Sequence, residues 1–282
     1  MVGKITPDFV PRPRRLETLD TCPLCDFRPV SPAPVQPDPP FGIQQCGKCG
    51  IVFLSPRPPI DDMKAYYDEY YEGQDQRNAR QERRAERHVR RLMRFAGKPG
   101  RLLDVGAGDG YFLNAARNAG WQVEGLELSE PRVSHAREWF KLELRSVDLM
   151  QAPFEPHSFD ALSMFQLIEH VHDPRAIFRK ARELLRPGGL MLLSTPNVLA
   201  YARKDRDVNS WRIPRHLFFF SPRTLVRSVE AEGFTVLRRP LRFFAALEEQ
   251  LGWQPWATSG PVSRVTRDLW TPFGLHLIAR AR

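Results

Sequence analysis

The chain has 282 residues, with 42 lysines and arginines against 33 aspartates and glutamates and a net charge of +9. That length accommodates one full α/β domain plus a small module. No run approaches the ~18 apolar residues of a membrane span, and Pro7, Pro11 and Pro13 interrupt any apolar leader core in residues 1–30, so a cytoplasmic protein without a membrane span is expected.

The first predicted unit, residues 1–58, carries all four cysteines in two pairs, Cys22-Pro-Leu-Cys25 and Cys46-Gly-Lys-Cys49, with 20 residues between them. This spacing suits four thiolates around one zinc ion; two disulfides are the alternative, and they would require an oxidising compartment. A set of four thiolates leaves no open coordination position, so the ion would be structural. So short a segment, with few large apolar residues, needs such a staple to fold. Six prolines between Arg28 and Pro40 mark the loop between the cysteine knuckles.

Residues 59–97 read as a helical connector. A helix is expected over Ile60–Tyr71, with Asp61 and Asp62 at its positive end. Tyr66, Tyr67, Tyr70 and Tyr71 lie on two adjoining faces of that helix. Arg77–Arg94 holds eight arginines and two glutamates with few apolar positions, which predicts a surface helix. Its basic face suits an anionic acceptor, and a merely solvated helix is the alternative. Nucleic acid is less favoured, because no aromatics interleave the arginines.

From residue 98 to 282 the pattern is α/β. Leu102–Val105 reads as a buried parallel strand, followed by Gly106-Ala107-Gly108-Asp109-Gly110 and a helix from Tyr111. Glycines there let the backbone turn sharply and approach a ligand. Position 111 is Tyr where a dinucleotide fingerprint starting at Gly106 needs its third glycine, and no Gly-Lys-Ser/Thr is present for a triphosphate. Asp104 and Asp109 suit a cationic ligand instead. The next strand, Trp121–Glu127, ends in an acid 23 residues after Asp104, a spacing fit for ribose hydroxyls. Further strands are expected at Leu142–Val147, Phe159–Phe165, Leu190–Ser194, Phe234–Arg238 and Leu275–Ala279. A helix opening at Asp173-Pro174 should run to Leu185 and stop at Pro187-Gly188-Gly189.

Together Asp104-x-Gly106-x-Gly108-x-Gly110, Glu127, Asp148, Phe159-Asp160, Glu169-His170 and Arg186-Pro187-Gly188-Gly189 resemble the class I S-adenosylmethionine-dependent methyltransferases, in a subgroup with an N-terminal zinc ribbon. The resemblance implies a Rossmann-like sheet of seven strands with the last inserted antiparallel, S-adenosyl-L-methionine (SAM) as cofactor and a structural Zn2+. It implies that Asp104, Gly106, Ala107, Gly108, Gly110, Glu127, Leu128, Asp148, Leu149, Phe165, Gln166 and Tyr71 hold the cofactor. Asp148 would meet the adenine amine, Leu149 the ring, and Phe165-Gln166 the methionine part.

Residues 198–220 are expected to cap the acceptor site, with Trp211, Arg212, Arg215 and His216 in it. His170 and His216 are the candidate bases, a neutral imidazole being suited to removing a hydroxyl proton. Satisfied structural histidines are the alternative for both. Residues 242–270 include an amphipathic stretch, Phe243–Leu251, open to a pocket, a subunit or a membrane surface. The expected activity is methylation, chiefly O-methylation, of a small-molecule acceptor, with sugars and secondary metabolites as examples. An RNA methyltransferase and a non-enzymatic interaction protein are the rival readings. Oligomeric state is not legible.

Overall fold

The computed structural model describes residues 15–34, 36–63, 77–198, 211–238 and 274–282. The four tyrosines through Tyr71, the first part of the acceptor cap and the 242–270 segment fall outside these residues, wholly or for the most part.

Among the described residues the principal sheet has six strands: β4 (Arg101–Val105), β5 (Gln122–Leu126), β6 (Phe159–Phe165), β7 (Leu185–Pro196), β9 (Phe234–Arg238) and β10 (Gly274–Ala281). Their order is β5-β4-β6-β7-β10-β9. β4 pairs parallel with both β5 and β6, and β6 parallel with β7. β10 enters antiparallel between β7 and β9, with His276 opposite Ser194. The chain leaves β4 towards β5 and later returns on the other side of β4 to build β6. Connections therefore diverge above β4, the place where open α/β sheets bind ligands at their carboxyl edge.

Helices α1 (Ala79–Ala96), α2 (Tyr111–Asn118) and α3 (Glu130–Phe140) contribute to one apolar cluster with Leu102, Ala161, Leu190, Leu192 and Ile278. α4 (Pro174–Leu184) and α5 (Pro222–Ala231) belong to a second, larger cluster with Leu103, Leu162, Met191 and Leu277. Strand residues thus alternate between two cores, as a pleated sheet covered on both faces requires. α1 is an arginine-rich helix that still buries Ala85, His88, Val89 and Leu92 on one stripe.

Two elements differ from the sequence-based expectation. Leu142–Val147 forms no extended strand; it meets the sheet edge at the parallel bridge Leu126↔Arg145, so among the described residues six strands plus this bridge stand where seven were expected. Side chains such as Leu142 and Leu144 are drawn down onto α2 and α3 instead of continuing the ladder. β7 also starts at Leu185, not Leu190. Leu185 is fully buried opposite Phe159, and Arg186–Gly189 bulge out before pairing resumes at Ala161↔Leu190, with Gly188 at φ 80°. The Pro-Gly-Gly run ends the helix one residue early and then interrupts a strand.

A second, smaller sheet runs β1 (Val30–Pro32), β2 (Ile43–Cys46), β3 (Val52–Leu54) and β8 (Phe218–Phe219), all antiparallel. β8 comes from the far end of the chain. Val52 pairs with Phe219, Phe53 with Phe218, and the Leu54 N–H donates to the Leu217 carbonyl at 2.8 Å. Ile43, Phe53 and Phe218 share one core with Met191 and Leu193 of the principal sheet. The cysteine module is therefore sewn into the larger domain by backbone pairing as well as by packing.

Candidate active site and cysteine centre

The glycine loop follows β4 directly. Gly106, Gly108 and Gly110 have φ of 69°, 56° and 82°, the left-handed region where a Cβ is disfavoured. The Gly106 and Ala107 amides both donate to the Leu126 carbonyl at 2.9 Å, which ties the loop to the end of β5. Gly110 is the N-cap of α2, and a Cβ there would lie 2.9 Å from Leu142.

Glu127 stands at the end of β5. Its Oε2 accepts from the Gly108 amide at 2.8 Å and its Oε1 from the Ser129 amide at 2.9 Å. The carboxylate is thus already drawn to the mouth of the glycine loop. Leu128 beside it is 49% exposed, an apolar surface at the same edge.

Asp104 lies underneath. It is 2% exposed and accepts from Ser163 Oγ at 2.6 Å. Burial pushes its carboxyl up to about 7, reinforced by the nearby Glu127 charge and opposed by the Ser163 hydrogen bond. Because this folded-state value is raised from the ordinary 3.8, the associated stability is full below that pH and is lost as pH rises through about 7. Asp104→Asn, neutral throughout, should therefore gain on the wild type by about 2 kcal/mol in urea-unfolding free energy between pH 5.5 and pH 8. A difference between the two proteins that is the same at both pH values would contradict this ionisation.

Asp109 is bonded to two residues of α3, His135 Nδ1 at 3.1 Å and Arg132 at 3.4 Å. Asp148 caps its own turn, accepting from the Met150 amide at 2.8 Å, and Leu149 is buried in the core below it. Phe165 packs against Phe112 and the buried His88, with ring centroids 4.8 and 4.5 Å apart. Gln166 adopts φ 55°, its amide donating to the Ser194 carbonyl at 2.8 Å and its side chain to Ser194 Oγ at 3.3 Å. A left-handed glutamine at the end of a central strand is the kind of local strain that gathers at functional sites.

A titratable cluster sits just beyond. The His170 and His216 rings are 4.8 Å apart and edge-on, and His170 Nε2 is 3.9 Å from Glu169 Oε1. Glu169 is 1% exposed. Its backbone carbonyl accepts from the Leu217 and Phe218 amides at 2.7 and 3.1 Å, so β8 is clasped to the end of β6. Burial pushes the Glu169 carboxyl up to about 8, with Thr195 and Arg212 acting the other way. Burial also pushes His170 down to about 4 and His216 well below its ordinary range, so both are neutral near pH 7. His170 Nδ1 lies 2.8 Å from the Arg215 carbonyl. A carbonyl only accepts, so Nδ1 carries the proton and Nε2 the lone pair.

Sequence reasoning places His170 and His216 individually but not their contact. It also passes over Glu169 as a member of the cluster. On the other face of the sheet it misses a narrow recess lined by His88, Arg91, Phe165, Leu192 and His276. The Ala85-His88-Val89-Leu92 spacing is the available clue that His88 points inward.

The scaffold part of the motif is separate. Asp160 accepts from the Arg101 amide at 2.6 Å and pairs with Arg186 at 2.7 Å, bracing the opposite end of the sheet.

In the cysteine module the Cys22 and Cys49 sulfurs are 3.6 Å apart, as are those of Cys25 and Cys46, and all four lie within 4.8 Å of one another. Bonded sulfurs would be about 2.05 Å apart, and all four cysteines are free thiols. Asp26 and Gly50, each just after the second cysteine of its pair, have φ of 57° and 81°. The Cys49 amide donates to Cys46 Sγ at 3.4 Å. Hydrogen bonding from Cys49 pulls the Cys22 thiol down to about 5, and the same contact pushes Cys49 up. Zinc–sulfur bonds of about 2.3 Å place tetrahedral sulfurs about 3.8 Å apart, so the set fits one ion.

The model of a methyltransferase domain family matches residues 77–239. A probable S-adenosylmethionine-dependent methyltransferase of Mycolicibacterium smegmatis is 32% identical over 145 residues, which cover 51% of this chain and 54% of that protein. A ubiquinone biosynthesis O-methyltransferase of Idiomarina loihiensis is 28% identical over 179 residues, 54% of this chain and 70% of its own. The chain thus spans 54% and 70% of the length of these two relatives. Among solved structures, an S-adenosylmethionine dependent methyltransferase from Mesorhizobium loti superposes with a TM-score of 0.51 at 21% identity, covering 70% of this chain and 97% of that one.

Proposed function

The chain belongs to the methyltransferase-domain family, and on that premise we propose that it transfers a methyl group from SAM to an oxygen of a small-molecule acceptor. The observation that carries this reading is the glycine loop with Glu127 already turned onto the Gly108 amide, at the point above β4 where the connections diverge. The residues fit the cofactor. Glu127 offers a carboxylate to ribose hydroxyls, Gly106, Ala107, Gly108 and Gly110 give close backbone approach, Leu128 an apolar flank, Asp148 a strand-edge acid, and Phe165 and Gln166 the floor of the methionine end. Asp104 supports the loop from beneath. SAM supplies an already activated methyl on a sulfonium, so the protein's main contribution is to position two reactants.

An O-methylation is favoured by the relatives named for ubiquinone biosynthesis and by the neutral histidines at the sheet edge. His170 Nε2 is the atom that accepts the hydroxyl proton, its tautomer set by the Arg215 carbonyl. His170→Asn, which keeps a donor towards that carbonyl, is expected to lower kcat by roughly 10²–10⁴ and to leave the affinity for S-adenosylhomocysteine within about twofold. An unchanged kcat would remove His170 from the chemistry.

The cysteine module holds a structural zinc in this reading, and zinc's task there is to fix the ribbon. A second reading, an RNA acceptor, has one observation in its favour. Arg80, Arg83, Arg87, Arg90 and Arg94 are exposed at i, i+3, i+7, i+10 and i+14, forming one stripe along α1. Phosphate binding through that stripe would weaken steeply with salt.

A further inference from the structure

We infer that Glu169, His170 and His216 form a divalent-cation site at the edge of the acceptor region. Glu169 is buried, and among the described residues no well-formed hydrogen bond reaches either carboxylate oxygen, with Thr195 and the Glu169 backbone acting on the group only weakly against its burial. A carboxylate in that position costs free energy unless a proton or a cation neutralises it. Two imidazoles stand on the same side, and one ligand atom from each of the three residues lies within 4.8 Å of the others. Metal bonds of about 2.0–2.2 Å place neighbouring ligand atoms about 3.0–3.5 Å apart, so small side-chain rotations close the set.

The surroundings are those of a ligand set. The His170 Nδ1–H···O=C bond to Arg215 turns Nε2 towards Glu169, the outer-shell support that metal-bound histidines take. The backbone holds all three in place: the His170 amide donates to Leu167 O at 2.9 Å, the His216 amide to Arg212 O at 3.0 Å, and Leu217 and Phe218 bond to Glu169 O. Two imidazoles and a carboxylate suit Zn2+, Co2+ or Mn2+ better than Mg2+ or Ca2+. Three protein ligands leave positions for water or an acceptor oxygen. Arg212 and Arg215 act on the same histidines and oppose a cation, so direct ligation has to outweigh them.

This inference deepens the methyl-transfer reading and rests on it for the placement of the acceptor. His170 Nε2 can hold a proton or a cation but not both, so the metal-loaded cluster would hold the acceptor oxygen where the metal-free cluster takes its proton.

The test uses the full chain with its cysteine site loaded with zinc, titrated with Mn2+ by electron paramagnetic resonance and with Co2+ by visible absorption. Bands of nitrogen–oxygen coordination separate this site from thiolate-bound Co2+. One ion per chain is expected at the cluster, bound at least tenfold more weakly by Glu169→Gln and by His216→Gln. Retained S-adenosylhomocysteine binding would show that both variants are folded. If neither ion binds outside the thiolates, or if both variants bind like the wild type, the inference is overturned. Failure of the wild type to bind S-adenosylhomocysteine would sink the methyl-transfer reading and leave the ion count standing.

Discussion

Cys49→Ser is expected to abolish most turnover while leaving cofactor affinity nearly intact. On the proposed reading, one zinc ion held by the four cysteines would staple a module whose sheet ends in β8, and β8 begins two residues after His216. Structural zinc contributes on the order of 10 kcal/mol to folding in small fingers, far more than the three-residue strands β1 and β3 could supply alone. Losing the ion should loosen β3, release its pairing with Phe218 and Phe219, and free Leu217 and Phe218 from the Glu169 carbonyl. His216 and the Arg215 carbonyl that orients His170 would then drift. Misplacement of such groups by about 1 Å is enough for a roughly 10²-fold loss in kcat. Glu127 and the glycine loop lie on the principal sheet, so S-adenosylhomocysteine should bind within about threefold of wild type. A fall in cofactor affinity as large as the fall in kcat would mean that the ribbon supports the whole domain and not this cluster in particular.

The second large effect concerns Glu127→Ala. Two hydroxyl-to-carboxylate hydrogen bonds at about 1.5–3 kcal/mol each translate into a loss of at least roughly 100-fold in S-adenosylhomocysteine affinity. Glu127 also accepts from the Gly108 and Ser129 amides, the latter being the N-cap residue of α3, so stability should drop by about 1–2 kcal/mol. Glu127→Gln, which keeps an acceptor, should fall between the two. Calorimetry separates the effects, and an affinity within about threefold of wild type in the alanine variant would displace the ribose from this residue.

Much of this architecture is legible because it is local. The run from Leu102 to Gly110 contains its own strand, its turn and the start of its helix, and Glu127 ends the very next strand. Ser221-Pro222 announces α5 in the same way, and the structure shows the Ser221–Thr224 capping box. What is not legible is tertiary. His170 precedes β7 in the chain and His216 follows it, and they are brought together by the Leu217 and Phe218 amides, which bond the Glu169 carbonyl just after β6. Phe218–Phe220 announce burial but not the partner they pair with, and that partner is a strand of the cysteine module. Leu185 reads as the end of a helix because Pro187-Gly188-Gly189 is a strong stop; burial against Phe159 outweighs that local preference and starts β7 early. The Leu142–Val147 segment has strand-like apolar residues, yet two of its leucines serve α2 and α3, and the sheet edge keeps one bridge.

The most direct test of the account is to incubate the purified chain with methyl-labelled SAM and a cell extract, then separate nucleic-acid, lipid and small-metabolite pools. The account predicts label in the small-metabolite or lipid pool, attached through oxygen, and its loss with Glu127→Ala and with His170→Asn. Label confined to RNA, or no transfer to any pool by a protein that binds S-adenosylhomocysteine, would contradict it.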